Sequence, residues 1–159
     1  MATPVKGKFH SQCGRFVSLS LDRERAALAK NISRNQPLNY VMVYSDRPLR
    51  DGQLFQVKFE QTSLIRMSSF DIGVTTRDPQ FGLPKDLEEI ENSKEFFVYR
   101  DGLTKLSHCG IEKKVPFYYH PQTSIGCSIK DGKLFIYSNG EEMGVAREGL
   151  DRDLSLIHI

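Results

Sequence analysis

The chain has 159 residues, a net charge of +2, a pI near 8.4 and 39% hydrophobic residues. That size and composition fit one domain with a real core and exclude a disordered chain, and the charge is too mild to argue for a nucleic-acid partner. No apolar run approaches membrane-spanning length, and Met1-Ala2-Thr3-Pro4 lacks the apolar core of a signal peptide, so a cytoplasmic protein without a transmembrane segment is expected.

Residues 1–8 read as a short polar leader. Phe16 to Leu21 is the first strand-like run. Asp22 to Lys30 follows, and propensity alone predicts a helix there with Asp22 as its cap, although every neighbour is strand-like. Tyr40 to Tyr44 is rich in β-formers and reads as a strand. In Leu54 to Glu60, Phe55, Val57 and Phe59 alternate with Gln56, Lys58 and Glu60, the clearest period of two in the chain.

The chain is organised around Phe70 to Pro79. Phe70, Ile72 and Val74 share one face of a half-buried strand, and Gly73 in its middle predicts a bulge or a close backbone approach. Asp78-Pro79 ends it, because proline cannot donate to the ladder. Phe81-Gly82-Leu83-Pro84 opens the longest loop, which runs to Lys94 and has room for a helical turn over Asp86 to Glu91. Glu95 to Arg100 is another strand. The last third is a meander: Ile125, Cys127 and Ile129 alternate with small or polar residues. Asp131-Gly132 and Asn139-Gly140 turn the chain twice, the strongest short signals for hairpins. Phe55, Val57, Phe59, Phe70, Ile72 and Val74 are expected in one core. Many short strands with closely spaced turns argue for an all-β antiparallel sandwich in a single domain.

Chemistry has few footholds. There is no phosphate-cradling glycine motif, and Cys13, Cys109 and Cys127 are neither paired nor at zinc spacing with histidine, so free thiols, no metal and no cofactor are expected. Cys109 with His120 could form a nucleophile and base, but nothing in the sequence orients them. Cys127 reads as a buried, inert thiol. Asp86, Glu88, Glu89 and Glu91 read as solvated loop charge rather than paired catalytic carboxylates.

At Gly73-Val74-Thr75 with Asp78-Pro79 the sequence resembles the Neuralized homology repeat. Phe9-His10 with Cys13-Gly14 resembles the opening of that family, and Val17-Ser18-Leu19-Ser20 its first strands. Ser45-Asp46-Arg47-Pro48-Leu49 with Gly52 and Leu54 to Val57 resembles its S-x-x-P-L…G-x-x-F-x-V section. Ser138-Asn139-Gly140 with Gly144-Val145-Ala146 resembles its late hairpin. The likeness runs over 9–150 and is closest to the kind of repeat that occurs several times in tandem in one chain. Family members carry tryptophan where this chain has Arg66 and Phe96, and a glycine where it has Ser68. They close with a strand around an aspartate-x-tyrosine-glycine turn, which Asp151 to Ile159 does not supply, so an incomplete closing strand is expected. Residues 151–159 then read as an atypical tail, a truncation or a cloning scar.

The resemblance implies a SPRY-like β-sandwich that recognises proteins for ubiquitin ligases or their adaptors. It implies strand rather than helix after Asp22, and a cytoplasmic setting that includes the centrosome and its centrioles. No set of RING cysteines is present, so no enzyme is expected. The expected partner is a protein, as a peptide segment or a ubiquitin-pathway protein. The candidate surface is Arg34, Asn35 and Gln36, then Arg47, then Arg66 and Met67, then Arg77 and Asp78, then Tyr99 and Arg100, at loops and strand ends of one end of the sandwich. Arginine and tyrosine are common interface anchors, although most exposed residues contribute little to binding. The alternative is a sandwich that binds a small ligand or an anionic membrane surface through the scattered arginines.

Overall fold

A computed structural model describes residues 2–28, 41–60, 71–92, 95–100, 108–109, 122, 124–150 and 155–156. Eleven strands occur among them: β1 Thr3–Pro4, β2 Val17–Leu19, β3 Ala26–Leu28, β4 Gln53–Lys58, β5 Asp71–Thr75, β6 Phe96–Arg100, β7 His108–Cys109, β8 Ser124–Lys130, β9 Lys133–Ser138, β10 Glu141–Arg147 and β11 Ser155–Leu156. One sheet has the order β1-β4-β8-β9-β10, a second has β11-β5-β6-β7, and β2 with β3 form a separate hairpin. Between β5 and β6 lie a 3-10 turn, Pro79–Phe81, and a short helix, α1, Leu87–Asn92.

The alternation read from the sequence builds the interior. Phe55 of β4, Ile125, Cys127 and Ile129 of β8 and Leu134 and Ile136 of β9 meet Ile72 and Val74 of β5 in one buried cluster. The two sheets therefore pack face to face, as a sandwich must. Val57 and Phe59 pack against that cluster while half-buried. Of the six residues expected in one core, Phe70 lies outside the described residues; the other five are placed there. Both hairpin turns in this region have positive φ at two successive residues: 51° and 70° at Asp131-Gly132, 51° and 78° at Asn139-Gly140. That is the mirror-image turn whose twist matches the flanking strands.

The other face of the first sheet is covered too. Leu54 and Tyr137 pack with Ala2, and β1 adds to β4 in parallel, with Thr3 N–H donating to Gly52 O at 2.9 Å. The stretch expected as a leader is thus an edge of the sheet. The centre of the sheet is tight at Gly126: a Cβ there would lie 2.6 Å from Phe55 O.

Four local expectations change. Asp22 does not cap a helix. Its Oδ1 accepts from Glu24 N–H at 3.0 Å and from Ser20 Oγ–H, which closes a tight turn, and Ala26–Leu28 returns as a strand. Local side-chain bonds of this kind compete with helix formation. Of the stretch expected as a strand, Tyr40 lies outside the described residues, and Val41–Tyr44 does not become a regular strand: Met42–Tyr44 is buried but irregular and joined to residues 10–14 by single hydrogen bonds. Gly73 makes no bulge, for β5 and β6 pair without a break from Asp71–Arg100 to Thr75–Phe96. Lastly, Ser155 and Leu156 of the tail pair with Thr75 and Val74, so the tail supplies a short edge strand to β5.

Candidate recognition site

Beyond β5 the chain turns sharply, and its own side chains fix the turn. Asp78 is extended, with φ −68° and ψ 126°, and Oδ1 accepts Gln80 N–H at 3.0 Å while Oδ2 accepts the Gln80 amide at 2.7 Å. An aspartate before a proline is a strong cap, because proline needs no donor partner at that position. These bonds from the Gln80 backbone and side chain hold the Asp78 carboxyl below the usual range, with His10 adding a smaller effect. Phe81 N–H closes onto Asp78 O at 3.1 Å, and Gly82 leaves with φ 100°, a conformation that favours glycine.

Behind the turn, Arg77 is a clamp. Its Nη1 donates to Glu89 Oε1 at 2.6 Å, and Nε and Nη2 both reach Glu95 Oε2, at 3.0 and 2.8 Å. The guanidinium also lies 5.0 Å from the centre of the Phe96 ring. Glu89 is itself oriented from α1, where Asp86 accepts Glu89 N–H at 2.8 Å and Glu89 Oε2 accepts Lys85 N–H at 2.7 Å. The Lys85 bond, then Arg77, lower the Glu89 pKa.

Across from the turn stands a second wall. Phe9 bridges Ser45, His10 N–H donates to Tyr44 O, and Asp46 N–H donates to Lys8 O at 2.8 Å. Ser45 Oγ–H donates to Arg47 O at 2.6 Å and shapes the bend that exposes Arg47. Between this wall, formed by His10 and Ser45 to Pro48, and the Asp78 to Gln80 turn lies a shallow groove of about 210 Å³.

The groove brings Arg47 and Asp78 together. Arg77 stands next to it in the chain but faces Glu89 and Glu95. Tyr99 and Arg100 pair with Ile72 and Asp71, at the far end of β5 from the turn, roughly 13 Å from Thr75 along the strand. They do not share the groove's end of the sheet as expected. Arg34, Asn35, Gln36, Arg66 and Met67 lie outside the described residues, as does His120 of the cysteine–histidine pair. The sequence reading did not include His10, Asp46, Pro48, Gln80 or Phe81. The Asp78-Pro79 dipeptide was a usable signal for the turn and Phe81; nothing local could place His10 opposite it. Cys127 is fully buried and burial pushes its thiol up to about 12. Among the described residues no group of three or more His, Cys, Asp or Glu could hold a metal, and no helix is long and apolar enough to cross a membrane.

The family model described as Neuralized matches residues 9–158. The chain belongs to the Neuralized family. Curated relatives include the E3 ubiquitin-protein ligase NEURL1B of Homo sapiens, 30% identical over 95 residues, which covers 57% of this chain and 16% of the relative. The Mus musculus protein of the same name is 34% identical over 95 residues, with the same coverage. The chain thus spans 16% of the length of these relatives. The crystal structure of the Drosophila melanogaster neuralized-nhr1 domain superposes with a TM-score of 0.70 at 23% identity, covering 97% of this chain and 88% of that one. A solution structure of the NHR domain in Neuralized from the same fly gives 0.70 at 22% identity, covering 97% and 82%. Stonustoxin shares the fold alone, with a TM-score of 0.61 at 8% identity, over 99% of this chain and 26% of that one. The fold is the SPRY-like β-sandwich of the Neuralized homology repeat.

Proposed function

We propose that this Neuralized domain is a non-catalytic protein-recognition module that recruits a substrate or adaptor to a ubiquitin ligase. The observation that carries the reading is the groove between Ser45–Pro48 and Asp78–Gln80. Two loops meet there at one end of the sandwich, each pinned by its own hydrogen bonds, with Arg47 exposed between them. A pre-formed polar groove beside an exposed arginine loses little entropy when a peptide binds. The ligase connection rests on the relatives, whose names describe E3 ubiquitin-protein ligases. Affinity capture with the wild-type chain and with Arg47→Ala plus Asp78→Asn, which keeps the cap, tests it. The double variant should lose the captured protein while keeping its melting temperature. Identical capture by both would overturn the assignment of the groove.

The domain is proposed to be of the tandem type, like the repeats of Neuralized-like protein 4, and to act in the cytoplasm at the centrosome. The quoted motifs support the type. Fluorescent tagging tests the location: a diffuse or nuclear signal without centrosomal foci would reject it.

A further inference from the structure

Phe81 is the large aromatic side chain the described fold leaves outside, 82% exposed. It stands on a turn that is far from loose. Phe81 N–H bonds to Asp78 O, Gly82 N–H bonds to Pro79 O at 3.1 Å, and Pro79 is buried beneath. Arg77, immediately before the turn, is locked between Glu89 and Glu95. An exposed ring on a pinned turn, next to Gln80 of the groove wall, is a pre-ordered anchor for a partner.

The charges that line the groove beside this turn bear on the sort of partner. Asp46 faces the groove from one wall and Asp78 from the other, and neither has a cationic side chain within salt-bridge distance in the described residues. With histidine counted neutral, as in the chain total of +2, the lining holds one cation, Arg47, against the two carboxylates, a formal charge of −1, and His10 lines the groove beside them. A cation is attracted to carboxylates by charge and to an exposed ring face by its quadrupole, and Phe81 follows Gln80 of the groove wall directly in the chain.

We propose that the groove receives a basic residue of a partner protein, a lysine or arginine flanked by apolar side chains, that lies over Phe81 and pairs with Asp78 and Asp46. The inference rests on the recognition reading above and adds the chemistry of the recognised segment. Arg77 is then a positioning residue: it holds the turn and does not touch the partner.

The test is selection from a random dodecapeptide phage library against the whole chain, followed by affinity measurement of the selected peptides at low and moderate salt. Enriched peptides should carry lysine or arginine beside aliphatic residues. Phe81→Ala should weaken them about tenfold, Phe81→Tyr should restore most of that, and Asp78→Asn, which keeps the cap but removes the charge, should weaken them about fivefold. Unchanged melting temperatures of these exposed-site variants show that the fold is intact. Acidic or uncharged peptides that still require Arg47 would overturn the basic-segment proposal and leave the recognition reading standing. Failure to enrich any peptide, or peptides indifferent to Arg47→Ala, Asp78→Asn and Phe81→Ala alike, would overturn both.

Discussion

Replacing Arg77 with leucine tests how much of the site's rigidity comes from one clamp. The variant keeps the stem volume but removes three charge-assisted hydrogen bonds and the contact with the Phe96 ring. Arg77 is 21% exposed, and its partners Glu89 and Glu95 are 33% and 46% exposed, so solvent screens the pairs and each contributes well under the value of a buried pair. Allowing about 0.5 to 1 kcal/mol for each carboxylate and about 0.5 for the ring contact gives a loss of about 2 kcal/mol. For a domain this size that lowers Tm by roughly 4 to 8 °C. The effect must also depend on pH. The folded-state pKa of Glu89 is lowered, so its stabilisation is present above the usual carboxylate range and is lost as pH falls through the folded value. Wild type and variant should therefore differ at pH 7 and converge in strong acid. Calorimetry across pH is the assay. A shift below 1 °C at pH 7, or one that persists undiminished at pH 2, would refute the clamp.

Other substitutions probe the core and the buried groups. Ile136→Ala, at a fully buried site between the sheets, should cost about 3 to 4 kcal/mol in urea unfolding. Gly126→Ala should destabilise by at least about 2 kcal/mol, because the added methyl meets Phe55 O at 2.6 Å and the Gln56 Cβ at 2.7 Å; an unchanged unfolding midpoint would contradict the close approach. Tyr44→Phe removes a buried hydroxyl that has no hydrogen-bond partner among the described residues, so Tm should hold or rise, with a gain of up to about 1 kcal/mol. Iodoacetamide at pH 8 should leave Cys127 unlabelled in the native protein and label it only after denaturation, since burial pushes that thiol up to about 12.

The sandwich was legible wherever a period of two coincided with a turn dipeptide. Ile125, Cys127 and Ile129 before Asp131-Gly132, and Phe55 with Val57, were enough to place β4, β8 and β9 and the face each buries. The segment after Asp22 misled propensity because one carboxylate turned inward to its own turn, a choice that residue identity leaves open. Tyr40 to Tyr44 had the composition of a strand, but among the described residues Met42 and Tyr44 are joined to residues 10–14 by single hydrogen bonds, and single bonds leave no pattern in a sequence. Part of the groove was readable, as Arg47 and as Asp78 before Pro79. The rest depends on His10 and Asp46 meeting the turn through long-range contacts. The partners of Arg77 were hidden for the same reason: Glu89 and Glu95 lie 12 and 18 residues away, and only the fold shows that they converge on it.

The central claim is that partners dock in the groove between Ser45–Pro48 and Asp78–Gln80. Its most direct test is site-specific photocrosslinking in cells, with the reactive side chain placed in turn at Arg47, at Gln80 and, as a control, at Glu141. Glu141 is exposed, begins β10 opposite Ser138 beside the Asn139-Gly140 turn, and does not line the groove. One protein should be crosslinked from positions 47 and 80 and none from 141. A partner captured from position 141 and from neither groove position would contradict it.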